Sequence, residues 1–95
     1  MKIGTWTFAA SGNGETSSNL HSRTLELVAF GTWGGGTLTL EYTVDGGTTW
    51  IALSGLSMTA NGTTGDIRAA SGTLFRPVLT GSTSPALTVI LQEVA

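Results

Sequence analysis

The sequence predicts an all-β fold, a single small antiparallel β-sandwich of about eight strands with jelly-roll or Ig-like topology. Three observations lead to this prediction. The chain has 14 Gly and many Thr and Ser, whereas only 11% of its residues are charged, a composition that suits short strands and tight turns. Apolar residues alternate with a period of two, and no window keeps a helical period. The length of 95 residues allows one domain, residues 1–95.

The alternating segments are separated by clusters of Gly, Asn, Asp and Ser. In chain order, the predicted strands are Ile3–Phe8, Arg23–Phe30, Thr37–Val44, Trp50–Leu53, Leu56–Ala60, Asp66–Ala70, Thr73–Leu79 and Ala86–Val94. A polar stretch after the first strand, residues 9–19, predicts a loop, or an arm that extends along a neighbouring molecule. The second strand has apolar residues on both faces, such as Leu27 and Val28, so we expect it to lie between two covered surfaces.

A glycine-rich run, "GTWGGG" at residues 31–36, follows the second strand. Consecutive glycines pack no side chains and allow positive φ, so the run predicts a turn or a bulge. It does not fit a phosphate-binding loop, because no Lys-Ser/Thr pair follows and no helical pattern begins after it. Trp33 within the run has two interpretations. Its ring either folds back onto the open end of the sandwich or is presented to a partner.

The clearest strand is Thr37–Val44, which alternates strictly between polar and apolar residues. Its apolar face consists of Leu38, Leu40, Tyr42 and Val44. The turn residues "DGG" follow directly and return the chain to Trp50–Leu53. This arrangement is a strong signal for a β-hairpin.

The segments after the hairpin carry weaker patterns. "NGTTG" at residues 61–65 predicts the turn before Asp66–Ala70. Pro77 cannot donate a ladder hydrogen bond, so Thr73–Leu79 is predicted to be an edge strand or to bend at the proline. The final strand, Ala86–Val94, alternates clearly again.

The hairpin stretch "YTVDGGTTW", residues 42–50, has the spacing Ser/Thr-x-Asp-x-Gly-x-Thr-Trp and resembles the Asp-box of sialidases. The roles within such a box are structural: the Asp accepts hydrogen bonds from turn amides, the Gly adopts a conformation that other residues resist, and the Trp packs beneath the hairpin. Sialidase catalysis uses an arginine cluster and a Tyr nucleophile on a propeller much longer than this chain. We therefore predict a structural hairpin, formed by Thr43, Asp45, Gly46, Gly47, Thr49 and Trp50.

Other candidate catalytic residues have plainer interpretations. His21 and its neighbour Ser22 point to opposite faces of an extended segment, so they do not form a nucleophile and base pair. Glu26 and Glu41 would approach each other if their strands paired, as in a glycosidase dyad, yet exposed strand faces commonly carry single acids. Tyr42 lies on an apolar face and is predicted to belong to the core. With no Cys and no clustered acids, we predict no catalytic residue, no cofactor and no metal site.

The charge pattern limits the partners. The formal net charge is −2, and the four Lys and Arg residues are scattered along the chain, so no basic patch follows a nucleic-acid backbone. The N-terminal "MKIGTWTFAASG" has no long apolar run, and we expect neither a signal peptide nor a membrane span. A small core favours oligomerisation, and we predict a homo-oligomer, a trimer or a dimer. The candidate interface residues are Trp6, Trp33 and Phe30.

The run "FGTWGGGTLTLEYTVDGGTTWIAL" and the later "GTLFRPVLTGSTSPALTVIL" resemble small virion proteins of tailed bacteriophages and prophages. The resemblance covers roughly residues 30–91. It implies a non-enzymatic capsid decoration (cement) protein that is made in the host cytoplasm, binds the phage major capsid protein and stabilises the head from the capsid surface. A tail or neck component of the same virion is an alternative. A carbohydrate-binding or adhesion module is another, because exposed aromatic rings on β-sandwiches stack on sugars.

Overall fold

The computed structural model describes residues 2–18 and 23–94. Its strands are β1 (Lys2–Phe8), β2 (Gly12–Asn13), β3 (Ser17–Ser18), β4 (Arg23–Thr32), β5 (Thr37–Thr43), β6 (Ile51–Met58), β7 (Gly62–Ala69), β8 (Leu74–Thr80) and β9 (Ala86–Glu93). They form two antiparallel sheets that pack face to face. The predicted all-β sandwich is therefore confirmed. None of the described residues forms a helix long and apolar enough to cross a membrane.

The strand order identifies the sandwich as a jelly roll. One sheet has the order β1-β9-β4-β7, and the other has the order β2-β8-β5-β6, with β3 also paired to β8. Counted as one interrupted strand, β2 and β3 complete two four-stranded sheets between which the chain crosses repeatedly. Of the two topologies that the sequence left open, this is the jelly roll, because the last strand lies between β1 and β4.

Antiparallel strands that alternate in direction place their connections at two ends of the sandwich. Residues 9–11, 33–36, 59–61 and 81–85 connect strands at one end, which we call the Trp33 end. Residues 44–50 and 70–73 lie at the opposite end, which we call the hairpin end.

The core lies between the sheets and is built from the alternate residues of the central strands. Cross-strand partners on β4 and β9, such as Leu27 with Leu91 and Ala29 with Val89, share the inner face because paired residues of antiparallel strands point the same way. The core residues that are fully buried are Leu25, Leu27, Ala29, Leu38, Leu40, Leu79, Leu87, Val89 and Leu91. The outer face of β4 is open to solvent at Phe30, which is 46% exposed, so the described residues do not form the second covered surface that was expected there.

The hairpin β5–β6 forms as predicted but differs in its details. The two segments expected as separate strands, Trp50–Leu53 and Leu56–Ala60, belong to one strand, β6. Its pairing with β5 shifts between Thr39 opposite Ser57 and Glu41 opposite Ala52. Gly55, with φ of 76°, supplies the left-handed conformation at this irregularity.

The turn predicted at "NGTTG" is wrong. Residues 59–61 form the bend, and β7 already begins at Gly62. Thr63 and Thr64 pair with Val28 and Leu27 of β4. Threonine suits strands because of its β-branched side chain, and pairing along β4 outweighs the turn tendency of the flanking glycines.

Pro77 does not make β8 an edge strand. β5 pairs with one side of β8, and the short strands β2 and β3 pair with the other. The carbonyl of Pro77 accepts a hydrogen bond from the N–H of Gly14 at 2.7 Å, in the gap between β2 and β3. The missing N–H therefore faces this gap, because the N and C=O of one strand residue point to the same side.

The stretch predicted as a polar loop or free arm, residues 9–19, thus carries two short strands that pair with β8. This pairing is the physical reason that the loop prediction is wrong for residues 12–13 and 17–18, whereas residues 9–11 and 14–16 form no strand. Asn19 and His21 lie outside the described residues.

The predicted apolar face of β5 is buried only in its first half. Leu40 is fully buried, whereas Val44 lies beyond the end of the strand and is 73% exposed. We expect Leu40→Ala to lower the free energy of unfolding by about 2–5 kcal/mol because it leaves a cavity. Val44→Ala, the matched control, should change it by less than about 0.5 kcal/mol. Chemical denaturation measures both, and equal effects would contradict the observed burial.

Candidate functional site

The connection between β5 and β6 folds over the outer face of its own sheet. Tyr42 packs partly buried against the core, so the next residue, Thr43, points to the opposite face. Thr43 is nevertheless fully buried, because the loop lies on top of it. Its hydroxyl oxygen accepts hydrogen bonds from the N–H groups of Asp45 at 3.4 Å and Gly47 at 3.2 Å.

Asp45 organises the remainder of this loop. Its Oδ1 atom accepts hydrogen bonds from the hydroxyl of Thr43 at 2.6 Å and from the N–H groups of Thr48 at 3.1 Å and Thr49 at 2.9 Å. The Thr43 hydroxyl and the Thr49 backbone N–H are the main causes that lower the pKa of Asp45 to about 2. Hydrogen bonds that favour the charged carboxylate have this effect.

Two glycines allow the loop to close. Gly46 has φ of 81° and Gly47 has φ of 101°, in a region that residues with a side chain rarely adopt. The N–H of Gly47 can then reach the Thr43 hydroxyl. Of the hairpin residues predicted from the sequence, Thr43, Asp45, Gly46, Gly47 and Thr49 therefore lie together in one hydrogen-bonded loop.

Trp50 lies next to the hairpin loop, since a Cβ on Gly47 would be 3.9 Å from its ring. It lies half-buried over the outer face of the sheet, where the guanidinium carbon of Arg76 is 4.2 Å from the centroid of its ring. Arg76 is paired across the strands with Glu41, and its Nε and Nη2 atoms lie 2.7 and 2.6 Å from Glu41 Oε1. A cation between a carboxylate and an aromatic face is held by both interactions. The hairpin is thus fastened to the outer face.

At the Trp33 end, hydrogen bonds link the loops to one another. Trp33 packs partly buried against the core, and its Nε1 donates to Asn61 Oδ1 at 2.8 Å. The same oxygen accepts the N–H of Gly31 at 3.0 Å. Ser82 donates its hydroxyl to the Trp33 carbonyl at 2.9 Å, and its N–H donates to the Ser11 hydroxyl at 2.9 Å. Of the two interpretations of Trp33, the structure places the ring folded back onto the sandwich.

The glycine run at residues 34–36 is required for this close contact. A Cβ on Gly34 would meet the backbone of Thr83, and a Cβ on Gly36 would meet the hydroxyl of Ser82. Gly34 also has φ of 63°. The sequence prediction of a turn was therefore correct in place, and the glycines also permit two loops to touch.

Trp6 lies at the free edge of β1. Its ring is partly buried, it covers Gly4 and Gly14, and its Nε1 donates to the carbonyl of Glu15 at 2.7 Å. An open groove of about 340 Å³ runs beside it. The groove is lined by Thr5, Trp6, Thr7, Phe8, Asn13, Gly14 and Glu15. We call it the β1-edge groove.

Phe30 lies on the outer face of the β1-β9-β4-β7 sheet. The register aligns Thr5, Ile90, Val28 and Thr63 in one row across the four strands. Phe30 is paired with Thr88 and extends the apolar centre of this face. We call this surface, with Val28, Ile90 and Phe30 at its centre, the outer apolar face. The three candidate interface residues, Trp6, Trp33 and Phe30, therefore lie in three separate places.

The two glutamates considered as a catalytic dyad are also apart. Glu26 and Glu41 belong to different sheets, so they do not approach each other as a dyad. Glu26 accepts a hydrogen bond from Gln92 at 2.5 Å, and Glu41 binds Arg76. Within residues 2–18 and 23–94, no group of three His, Cys, Asp or Glu side chains is placed to hold a metal ion.

Sequence reasoning missed three partners in these clusters. Asn61 was interpreted only as a turn residue, Arg76 as a scattered cation, and Glu15 as part of a loop. Each forms its hydrogen bond with a residue that lies 9 to 35 positions away in the sequence. For Arg76, an opposite charge on the polar face of β5 was the available signal, but it becomes useful only once the strand order is known.

Neither a protein-family model nor a curated protein sequence matches the chain. Solved structures share its fold. The C-terminal domain of a structural protein from Sulfolobus turreted icosahedral virus is 20% identical with a TM-score of 0.55, over 96% of this chain and 100% of that one. PirA is 15% identical with a TM-score of 0.55, over 92% and 89%. The Eiger TNF of S. frugiperda is 10% identical with a TM-score of 0.52, over 84% and 64%. At these identities the likeness is one of fold.

We expect Asp45→Asn to lower the melting temperature at neutral pH, because the variant loses the charge that the loop amides stabilise. The pKa of Asp45 is lowered in the folded state from 3.8 to about 2. The contribution of Asp45 to folding stability is therefore complete at pH values above the unfolded-state pKa. It is lost as the pH falls through that interval. Melting temperatures measured from pH 7 to 2 should therefore converge for the two proteins. Glu15→Gln, which removes another exposed carboxylate, is the control. A difference in melting temperature between the wild type and Asp45→Asn that stays constant down to pH 2 would contradict the assignment.

Arg76→Lys keeps the charge opposite Glu41 but removes the planar group that stacks on Trp50. We expect it to lower the free energy of unfolding by about 1 kcal/mol. In an NMR spectrum, the indole resonance of Trp50 should shift while those of Trp6 and Trp33 stay in place. Arg68→Lys changes an exposed arginine and serves as the matched control. An unshifted Trp50 resonance would show that the stacking is absent in solution.

Proposed function

We propose that this chain is a non-enzymatic structural protein of a tailed-bacteriophage particle, a capsid decoration protein that binds the outer surface of the head as a homo-oligomer. The observation that carries the proposal is that polar side chains at both ends of the jelly roll form hydrogen bonds with other groups of the same chain. Such a body keeps its shape while its outer apolar face remains available for contact. Rigid surfaces lose little conformational freedom on binding.

The hydrogen bonds within the loops support a structural role. Asp45 is held by loop amides, Glu41 by Arg76, and the Trp33 ring by Asn61. An acid or base in catalysis needs a polar partner on a substrate. These groups instead have their partners within the chain, and they stabilise loops.

The two resemblances support different parts of the proposal. The domain from the structural protein of Sulfolobus turreted icosahedral virus matches over its full length, and it supports a role for this fold in a virus particle. The sequence run around "GTWGGG" and "DGGTTW" supports the tailed-bacteriophage assignment. A tail or neck component of the same particle differs only in location.

We assign the contact with the major capsid protein to the outer apolar face. Phe30 is 46% exposed at its centre, beside the half-buried Val28 and Ile90. Threonines, rather than charged residues, flank this centre on β1 and β7. Interface centres are depleted in charge and enriched in aromatic residues, and this face has that composition.

The carbohydrate-binding alternative requires at least two exposed aromatic rings that lie coplanar in a groove. Trp6 and Trp33 are half-buried in different parts of the fold, and each donates its indole N–H to the chain itself. Trp50 lies against Arg76. No observation on the described residues favours this alternative, and we do not propose it.

The test is binding of the purified protein to empty heads of the phage whose genome encodes it. We expect co-sedimentation with the heads and a higher melting temperature of the heads. Phe30→Ser should weaken binding about tenfold or more, the range typical of a buried aromatic anchor. Val44→Ser removes a more exposed apolar side chain at the hairpin end and should bind normally. Immunogold label on the tail would relocate the protein, and absence from the purified particle would refute the proposal.

A further inference from the structure

The free edges of the two sheets differ in regularity. β7 and β6, on one side of the sandwich, each have a shift in register. On the other side, β2 and β3 are only two residues long each. β1 also shifts register, between Lys2 and Gly4, but from Gly4 to Phe8 its pairing with β9 runs without interruption. Bulges and short strands prevent pairing with another chain, and among the described edges only β1 lacks both over five successive residues.

The edge of β1 is open to solvent along the β1-edge groove. Four successive residues, Thr5 to Phe8, line it. Side chains of successive strand residues point to opposite faces, so a groove lined by all four must follow the edge of the strand. β1 is the last strand of its sheet. Its outward N–H and C=O groups therefore face this groove.

The side chains of this segment also favour pairing. The segment Gly4–Phe8 contains no charged residue and no proline. Charged side chains and proline are the residues that commonly block an edge. Thr5 and Thr7 are exposed, whereas Trp6 and Phe8 point inward and are at least half-buried. A strand added here would meet threonine hydroxyls on one face and aromatic rings on the other.

We infer that β1 is the site of self-association, where β1 of a second copy pairs antiparallel across a two-fold axis at Trp6. This register aligns the whole regular segment, with Thr5 of one copy opposite Thr7 of the other. Threonine pairs stabilise antiparallel strands, and a two-fold axis makes both contacts identical. The result is one continuous sheet of eight strands, β7-β4-β9-β1 followed by its symmetry mate. The inference deepens the proposed function, which requires copies to associate, and it rests on that function to this extent.

The test uses the full chain and sedimentation equilibrium over a series of concentrations, without capsids. The wild type should form dimers. Thr5→Lys with Thr7→Lys places like charges opposite each other twice and should raise the dissociation constant about tenfold or more. Thr5→Lys with Thr7→Glu should restore association, because each new lysine faces the new glutamate of the other copy. Thr59→Lys with Thr63→Lys adds the same charge near the opposite edge and should leave association unchanged.

Melting temperatures establish that every variant is folded. A wild type that stays monomeric at millimolar concentration overturns the inference, and so does a dimer that the two lysines leave intact. Failure of the lysine and glutamate pair to restore the dimer overturns the proposed register. A dimer that does not bind heads refutes the proposed function and leaves this inference standing.

Discussion

The pairing of β9 between β1 and β4 is the interaction on which the rest of the structure depends. The last strand of the described chain inserts between the first strand and the central one, and its residues Leu87, Val89 and Leu91 complete the inner layer. Among the described strands β1 is paired with β9 only, so this pairing decides the place of β1 in its sheet. The outer apolar face and the β1 edge therefore form only when the chain has closed, through contacts of high sequence separation.

Local patterns of the sequence were sufficient wherever the determining contacts are also local. The inner faces of β4, β5 and β9 follow from alternation, because successive side chains of a strand point to opposite faces of the sheet. The loop around Asp45 follows from its spacing, since every hydrogen bond in it spans at most four residues. Both features could be predicted without knowledge of the strand order.

Features that depend on pairing between distant strands could not be predicted in this way. The contact between Trp50 and Arg76 could not be predicted, because Arg76 on β8 is placed beside Glu41 only by the pairing of β5 with β8. The same holds for Pro77, whose missing N–H is harmless because the gap between β2 and β3 lies opposite it. In both cases the local property of the residue was correctly recognised. Its structural effect depended on residues that are distant in the sequence and adjacent in the fold.

The two proposed surfaces are geometrically linked, because β1 belongs to the sheet that carries the outer apolar face. Pairing two copies edge to edge extends this sheet and places both outer apolar faces on the same side. A ligand surface that offers two equivalent sites would then be bound by both copies at once, and the second contact forms at a high effective concentration. Weak binding by a single small face becomes sufficient in that arrangement. In the proposed dimer, regular pairing at β1 and the uncharged centre of the outer apolar face would therefore act together in attachment to a repetitive surface.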